Sequence, residues 1–152
     1  MLYIIKNKKM KKIFSSAILI VCVLVISSCK KDAGEGGTSK ITGKVIQEKW
    51  DNTFSLLINT YPLRNQDVYI IYGADHTTYD NNYKTAFDGS YEFKYLQKGT
   101  YQLYVYTEDT AGLAATGTVD FNLPKIPVFA TVEITKNGQT VSVPDILTYT
   151  FK

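Results

Sequence analysis

Apolar and polar residues alternate with a period of two after Lys40, and turn residues interrupt the alternation about every eight to twelve positions. This spacing is typical of the short strands of a β-sandwich, and the 3.6-residue period of an amphipathic helix is missing from this part of the chain. We therefore predict an all-β fold with strands at residues 41–48, 67–72, 83–87, 90–95, 100–107, 116–123, 128–135 and 140–151, the last interrupted near Pro144.

Glycine-containing turns separate several of these strands. The Asp-Gly pair that ends at Gly89 and the Asn-Gly pair that ends at Gly138 supply the positive backbone φ that tight hairpins need. Gly99 closes the loop between strands 90–95 and 100–107 in the same way. These two strands alternate most regularly, so we expect them to form a hairpin with one face in the core.

A different apolar pattern precedes the strands. Five lysines lie within residues 6–12, and an uncharged apolar run follows at 13–26, which is short for a membrane-spanning helix. The residues Val-Ile-Ser-Ser before Cys29 resemble a bacterial lipobox. The resemblance implies cleavage of a signal peptide at 1–28 and attachment of diacylglycerol and an acyl chain such as palmitate to Cys29, which would anchor the protein to a membrane. The alternative is an uncleaved N-terminal anchor helix with an incidental cysteine.

Removal of the signal peptide changes the charge of the chain. Five of the 17 basic residues precede Cys29 and all 14 acidic residues follow it, so the mature chain carries 12 basic against 14 acidic residues, a net charge of −2. We therefore predict no nucleic-acid partner. Cys22 leaves with the signal peptide and Cys29 is lipidated, so no thiol remains for a disulfide, a metal site or a nucleophile.

The segment that follows the cysteine indicates how the domain is held. Residues 29–40 are polar and glycine-rich, which predicts a flexible tether before a single domain at 41–152. Lys30 replaces the aspartate that often retains lipoproteins at the inner membrane, so we expect an outer-membrane lipoprotein. Asp32 and Glu35 only partly resemble the acidic surface-export signal of Bacteroidetes lipoproteins, and a periplasmic and a cell-surface orientation both stay open.

Three segments, ITGKV, PLRNQDVYI and YKTAFDGSYEFKYLQKGTYQLYVY, follow one another in the first two thirds of the domain. Their order resembles the pattern G-x-V, P-L-x-x-x-x-V, T-x-x-D-G-x-Y-x-F, L-x-x-G-x-Y of the carboxypeptidase-regulatory-like family of transthyretin-like sandwiches. The resemblance implies a single antiparallel Ig-like β-sandwich of about seven or eight strands, without an active site or cofactor, in adhesion, spacer or binding roles. The matching positions are Gly43, Val45, Pro62, Leu63, Val68, Thr85, Asp88, Gly89, Tyr91, Phe93, Leu96, Gly99 and Tyr101.

An apolar insertion, QEKWDNTFSLLINTY, departs from this family pattern between G-x-V and P-L. It either adds a strand and caps the sandwich or forms a surface patch, and capping is favoured because large exposed apolar patches are uncommon. The apolar residues concerned are Trp50, Phe54, Leu56, Leu57, Ile58 and Tyr61.

Residues that carry chemistry do not form a recognisable catalytic constellation. The only histidine, His76, lies in a polar turn-like segment and no G-x-S-x-G motif accompanies it, so we predict that the protein is not an enzyme. Oxygen-rich side chains at Asp75 and at residues 80–82 could wrap a calcium ion, but their spacing matches no calcium loop and such residues are common in turns. We predict neither a metal nor a cofactor.

Tyrosines on the outer face of the sandwich are the candidate ligand-binding residues. The alternation places Tyr69, Tyr104 and Tyr106 outward, and Trp50 of the insertion joins them as a candidate for the ligand face. An aromatic ring with a polar tip suits contact with a glycan or a protein. The alternative, which the frequency of tyrosine in strands favours, is that these rings only stack on cross-strand neighbours.

The sequence thus indicates a membrane-anchored, non-enzymatic binding or accessory module of the cell envelope, with a polysaccharide or an envelope protein as partner. The alternative is a structural, fimbria-like or assembly subunit that acts by strand addition, in which the C-terminal stretch TVSVPDILTYTFK would be the exchanged segment.

Overall fold

The computed structural model describes residues 33–73, 77–111, 117, 120 and 124–152. These residues form nine strands and no helix: β1 Glu35–Trp50, β2 Leu57–Pro62, β3 Asp67–Tyr72, β4 Asn81–Lys84, β5 Ser90–Leu96, β6 Gly99–Thr107, β7 Ile126–Ile134, β8 Thr140–Ser142 and β9 Ile146–Phe151. No helix in this part of the chain is therefore available to cross a membrane.

The first sheet is organised around the long strand β1, which has neighbours on both sides along its length. Its first half pairs antiparallel with β5, from Ile41 opposite Phe93 onward, and parallel with β8. Its second half pairs antiparallel with β2 and parallel with β9, with Trp50 opposite Phe151 at the far end. One strand thus holds four others in place.

The second sheet has the order β4-β3-β6-β7 and is antiparallel throughout. Tyr69 of β3 lies opposite Tyr104 of β6, and Tyr104 lies opposite Phe129 of β7. Residues opposite one another in a sheet share a face, so these three side chains project to the same side.

The core lies between the inward faces of the two sheets. Alternate residues of β1, β3, β5 and β6 are buried, as a period of two requires. Each fully buried aliphatic side chain contributes roughly 1.5–3 kcal/mol to stability. The core cluster consists of Ile41, Val45, Val68, Ile70, Tyr91, Phe93, Leu96, Tyr101, Leu103, Val105, Ile134, Val143 and Ile146.

The predicted all-β sandwich is confirmed. Strand β3 has the predicted bounds, and the last strand is divided around Pro144 into β8 and β9. The predicted hairpin of β5 and β6 is wrong: β5 pairs with β1 in the first sheet, and β6 pairs with β3 and β7 in the second sheet. Alternation shows which face of a strand is buried, but it does not distinguish a hairpin from a connection between two sheets. Two further details differ from the prediction. The described residues contain nine strands instead of seven or eight, and the first sheet is mixed because β8 and β9 run parallel to β1.

Strand β1 begins at Glu35, inside the segment predicted to be a flexible tether. The glycines there allow close packing: a Cβ added at Gly37 would overlap the carbonyl group of Leu96. The backbone N–H of Gly34 also donates a hydrogen bond to the hydroxyl of Tyr101, at 3.0 Å. Glycine-rich composition, which usually indicates flexibility, here brings two strands together.

The apolar insertion adds strand β2, so it extends the first sheet, but it does not bury all its apolar residues. Phe54 packs on Trp50 with ring centroids 4.6 Å apart, whereas Leu56 is 64% exposed and Ile58 48% exposed. The segment therefore caps one end of the sheet through Phe54 and leaves a surface patch along β2.

Strand β2 forms an edge of the first sheet with few free backbone donors. Leu63 donates its N–H to the carbonyl of Val45, so by alternation the backbone groups of Thr60 and Pro62 point away from β1. Pro62 has no N–H, and the N–H of Thr60 donates to its neighbour Asn59 Oδ1 at 2.8 Å. These features limit pairing with a further strand.

Several predictions fall on residues outside the described part. They are the signal peptide and Cys29, the candidate residues Asp75 and His76, and most of the strand predicted at 116–123.

Candidate functional site

The outer face of the second sheet carries the three candidate tyrosines. Inward positions of β3 and β6 are taken by core residues such as Val68 and Leu103, so the intervening residues Tyr69, Tyr104 and Tyr106 face outward.

The three rings lie in mutual contact. Tyr69 and Tyr104 are stacked, with centroids 5.0 Å apart and ring planes 18° apart. Tyr106 meets both of them edge to face, at 5.9 Å from Tyr69 and 5.6 Å from Tyr104. Pairs of this kind are worth about 0.5–1.5 kcal/mol beyond the area that they bury. The three tyrosines thus converge on one patch.

Two further rings, which the sequence did not single out, complete the patch. Tyr79 lies 4.8 Å from Tyr69, and Phe129 lies 5.3 Å from Tyr104. Phe129 could have been found from the alternation of β7, in which Val128 and Ala130 face inward. Tyr79 lies in the loop before β4, where no periodic pattern predicts the direction of its side chain. We call these five residues, Tyr69, Tyr79, Tyr104, Tyr106 and Phe129, the aromatic cluster.

The rings of the aromatic cluster differ in exposure. Tyr104 is only 6% exposed, whereas Tyr106 is 41%, Tyr79 53% and Phe129 56% exposed. Tyr104 therefore supports the cluster from below, and the other three offer aromatic surface to a ligand.

A cleft of about 270 Å³ opens beside the exposed rings, and we call it the aromatic cleft. It is small compared with the roughly 300–1,000 Å³ of most ligand pockets, so it suits one or two rings of a ligand. Its lining consists of three aromatic residues, two polar residues and two apolar residues: Tyr104, Tyr106 and Phe129, Gln102 and Thr77, and Ile71 and Pro127.

The electrostatics of the site are those of neutral hydroxyl groups. Burial raises the pKa of Tyr69, and the nearby Asp67 carboxylate adds to the effect. Burial also raises the pKa of Tyr104, with a further contribution from Tyr106. These phenols stay protonated at physiological pH and can donate and accept hydrogen bonds.

The described charges beside Tyr69, those of Asp67 and Lys84, are paired with each other. Asp67 accepts a hydrogen bond from Lys84 at 3.0 Å, and its other carboxylate oxygen accepts one from Asn82 at 3.0 Å. None of the described residues that line the aromatic cleft is charged.

Trp50 lies on the first sheet and does not join the aromatic cluster. It packs with Phe54, which in turn meets Tyr149 at 5.4 Å and Phe151 at 5.6 Å. The indole N–H donates to Glu48 at 3.0 Å. The four candidate residues are therefore divided between two sheets.

Other polar clusters have structural partners. The N–H of Tyr72 donates to Asp80 Oδ2 at 2.7 Å, and Asn81 donates to the Glu35 carboxylate at 2.9 Å. Within the ranges that the structure describes, no three His, Cys, Asp or Glu side chains are grouped so that they could hold a metal ion.

Comparisons with known proteins do not assign a family. No family model matches the chain, and no curated protein matches it. Among solved structures, the chain is similar to a crystal structure of a candidate carbohydrate-binding protein from Pseudomonas aeruginosa. The TM-score is 0.43 and the identity 13%, over 74% of this chain and 91% of that chain.

Proposed function

We propose that this protein is a lipid-anchored, non-enzymatic binding module of the cell envelope, and that it binds a glycan or an envelope protein at the aromatic cleft. The observation that supports this most directly is the convergence of five aromatic rings on one outer face, three of them well exposed. Exposed aromatic patches of this kind are typical of interaction sites.

The composition of the aromatic cleft favours binding. Tyrosine and phenylalanine give a large rigid contact area while they lose little conformational entropy. The described polar groups of the lining are hydroxyl groups and the amide of Gln102, without a carboxylate or imidazole to act as a general base. Such a surface can orient a ligand by stacking and hydrogen bonding.

The test is retention of envelope material on the immobilised full-length protein in detergent. A double variant, Tyr106→Ala with Phe129→Ala, removes the two exposed rings of the cleft lining. Its matched control, Tyr95→Ala with Phe87→Ala, removes the same residue types at exposed positions outside the aromatic cluster, where the side chains are 71% and 82% exposed. We expect retention to be lost in the first variant and kept in the second, with unchanged thermal melting in both.

If the unaltered protein and both double variants retain equal amounts of envelope polysaccharides and proteins, the aromatic cleft is not the binding site.

The anchor is proposed from Cys29 and the residues before it. Metabolic labelling with palmitate should mark the protein, and Cys29→Ser should abolish the label and release the protein from the outer-membrane fraction. Persistence of the label in the variant would contradict lipidation at this cysteine. Protease treatment of intact cells then distinguishes a cell-surface from a periplasmic orientation.

The alternative of a subunit that exchanges strands gains no support from the described residues. The C-terminal segment that would be exchanged pairs with β1 within the chain, as β8 and β9. The exposed edge strand β2 presents few free donors, for the reasons given above.

A further inference from the structure

We infer that the ligand of the aromatic cleft is a neutral polysaccharide, one sugar ring of which stacks on Phe129 and Tyr106 while Gln102 and Thr77 hydrogen-bond its hydroxyl groups. This inference rests on the proposed function and names the chemical class that the site takes.

The walls of the cleft fit a ring that has apolar faces and a polar edge. Phe129 and Tyr106 both contact Tyr104, the first tilted at 48° and the second at 88°, and both are well exposed. A pyranose ring presents C–H groups on its faces, which pack against aromatic carbon, and hydroxyl groups around its edge. The volume of about 270 Å³ fits one or two such rings.

The polar groups of the cleft are available to a ligand. The side chains of Gln102 and Thr77 line the cleft, and neither makes a hydrogen bond to another described residue. An amide offers two donors and an acceptor, and a hydroxyl offers one donor and two acceptor lone pairs. Sugar hydroxyls, which donate and accept, match this set.

The absence of charge from the described lining selects against acidic polysaccharides. A carboxylate that leaves water needs a cationic partner, and arginine is the side chain best suited to that role. The only arginine of the chain, Arg64, lies over Phe87 at 5.7 Å instead. Lys84, the cation beside Tyr69, is already paired with Asp67.

The residues of the site have separate roles in this scheme. Tyr106 and Phe129 contact the sugar, and Gln102 forms hydrogen bonds with its hydroxyl groups. Tyr69 and Tyr104 are positioning residues, because Tyr69 is stacked on the buried Tyr104 and both hold Tyr106 edge to face.

Calorimetric titration of the full-length protein in detergent tests the inference. The probes are three neutral polysaccharides (galactomannan, xyloglucan and β-1,3-glucan) and two acidic ones (polygalacturonate and alginate). We expect at least one neutral polymer to bind at least tenfold more tightly than either acidic polymer. Phe129→Ala should weaken this binding about tenfold or more, as loss of an anchoring ring does.

Gln102→Leu keeps the size of the side chain and removes its hydrogen bonds, so it should weaken binding about five- to tenfold. Tyr95→Ala, the control outside the aromatic cluster, should bind like the unaltered protein. The folded state of each variant is checked by its thermal melt.

The outcomes separate this inference from the proposed function. Preference for an acidic polymer, or cleft-dependent retention of an envelope protein with no binding to any neutral polymer, would overturn the neutral-glycan assignment and leave the binding module intact. Binding that neither Phe129→Ala nor Gln102→Leu changes would also overturn it. If no retention in the pull-down depends on the residues of the aromatic cleft, the neutral-glycan inference and the proposed function are both overturned.

Discussion

The hydroxyl of Thr85 ties the turn before β3 to the end of β4. It donates to the carbonyl of Leu63 at 2.5 Å and accepts from the backbone N–H of Gln66 at 2.9 Å. The side chain is buried, with 5% of its surface exposed. One hydroxyl therefore satisfies two backbone groups that lie in a turn and have no strand partner.

Replacing Thr85 by valine keeps the shape of the side chain and removes both hydrogen bonds. Each backbone group left unsatisfied costs about 1–3 kcal/mol, so the loss of both hydrogen bonds in Thr85→Val should lower the free energy of unfolding by about 2–6 kcal/mol. Thr85→Ser keeps the hydroxyl and loses one methyl group, which costs only about 0.8 kcal/mol. The two variants thus separate hydrogen bonding from packing at one position.

Urea unfolding followed by the fluorescence of Trp50, the only tryptophan of the chain, measures both changes. The slope of the free energy against urea should stay constant, so that the shift in midpoint reports stability. A valine variant at least as stable as the serine variant would show that the two hydrogen bonds contribute nothing net, and would refute the reasoning.

Three further predictions concern single residues. Tyr91→Phe should raise the free energy of unfolding by about 1 kcal/mol, because the buried Tyr91 hydroxyl hydrogen-bonds to no described residue. A lower free energy of unfolding for this variant, measured by urea unfolding, would contradict the prediction. Gly89→Ala should lower the free energy of unfolding by about 1–3 kcal/mol, since φ is +75° and the new Cβ would lie 2.6 Å from a backbone carbonyl oxygen. Gly138→Ala, at φ +71° with open space around it, should lower the free energy of unfolding less in the same assay. Burial and a hydrogen bond to Glu35 raise the pKa of Tyr72 to about 12. The protonated phenol therefore contributes fully to the free energy of unfolding below about pH 10, and this contribution is lost as the pH rises towards 12. An absorbance titration should show that Tyr72→Phe removes a late phenol ionisation, and an unchanged curve would contradict the assignment.

The strands that face water on one side were the most predictable part of the fold. In β5 and β6, core residues such as Phe93 and Leu103 alternate with polar or tyrosine residues, so sequence period and strand position agree. The pairing of β8 and β9 with β1 could not be read in the same way. Parallel pairing of segments about a hundred residues apart leaves no local pattern, because it depends on how the whole chain packs.

The candidate site was predictable only in part, for a related reason. Alternation places Tyr104 and Tyr106 on one face, but it does not say which strand lies beside them. Phe129 joins them because β7 pairs with β6, and Trp50 is separated from them because β1 belongs to the other sheet. Sequence period fixes the face of a residue, whereas sheet order decides its neighbours.

The central position of β1 has a mechanical consequence. Its described residues begin at Glu35 and continue directly along a strand that is bonded on both sides, to β5 and β8 and then to β2 and β9. Hydrogen bonds in antiparallel pairs are perpendicular to the strands, so a pull along β1 strains many of them at once instead of breaking them one by one. In a domain held from the N-terminal side of β1, a force on the bound ligand would load the hydrogen bonds of β1 in shear. Many of these bonds must then break together, so the sheet would resist unfolding by that force.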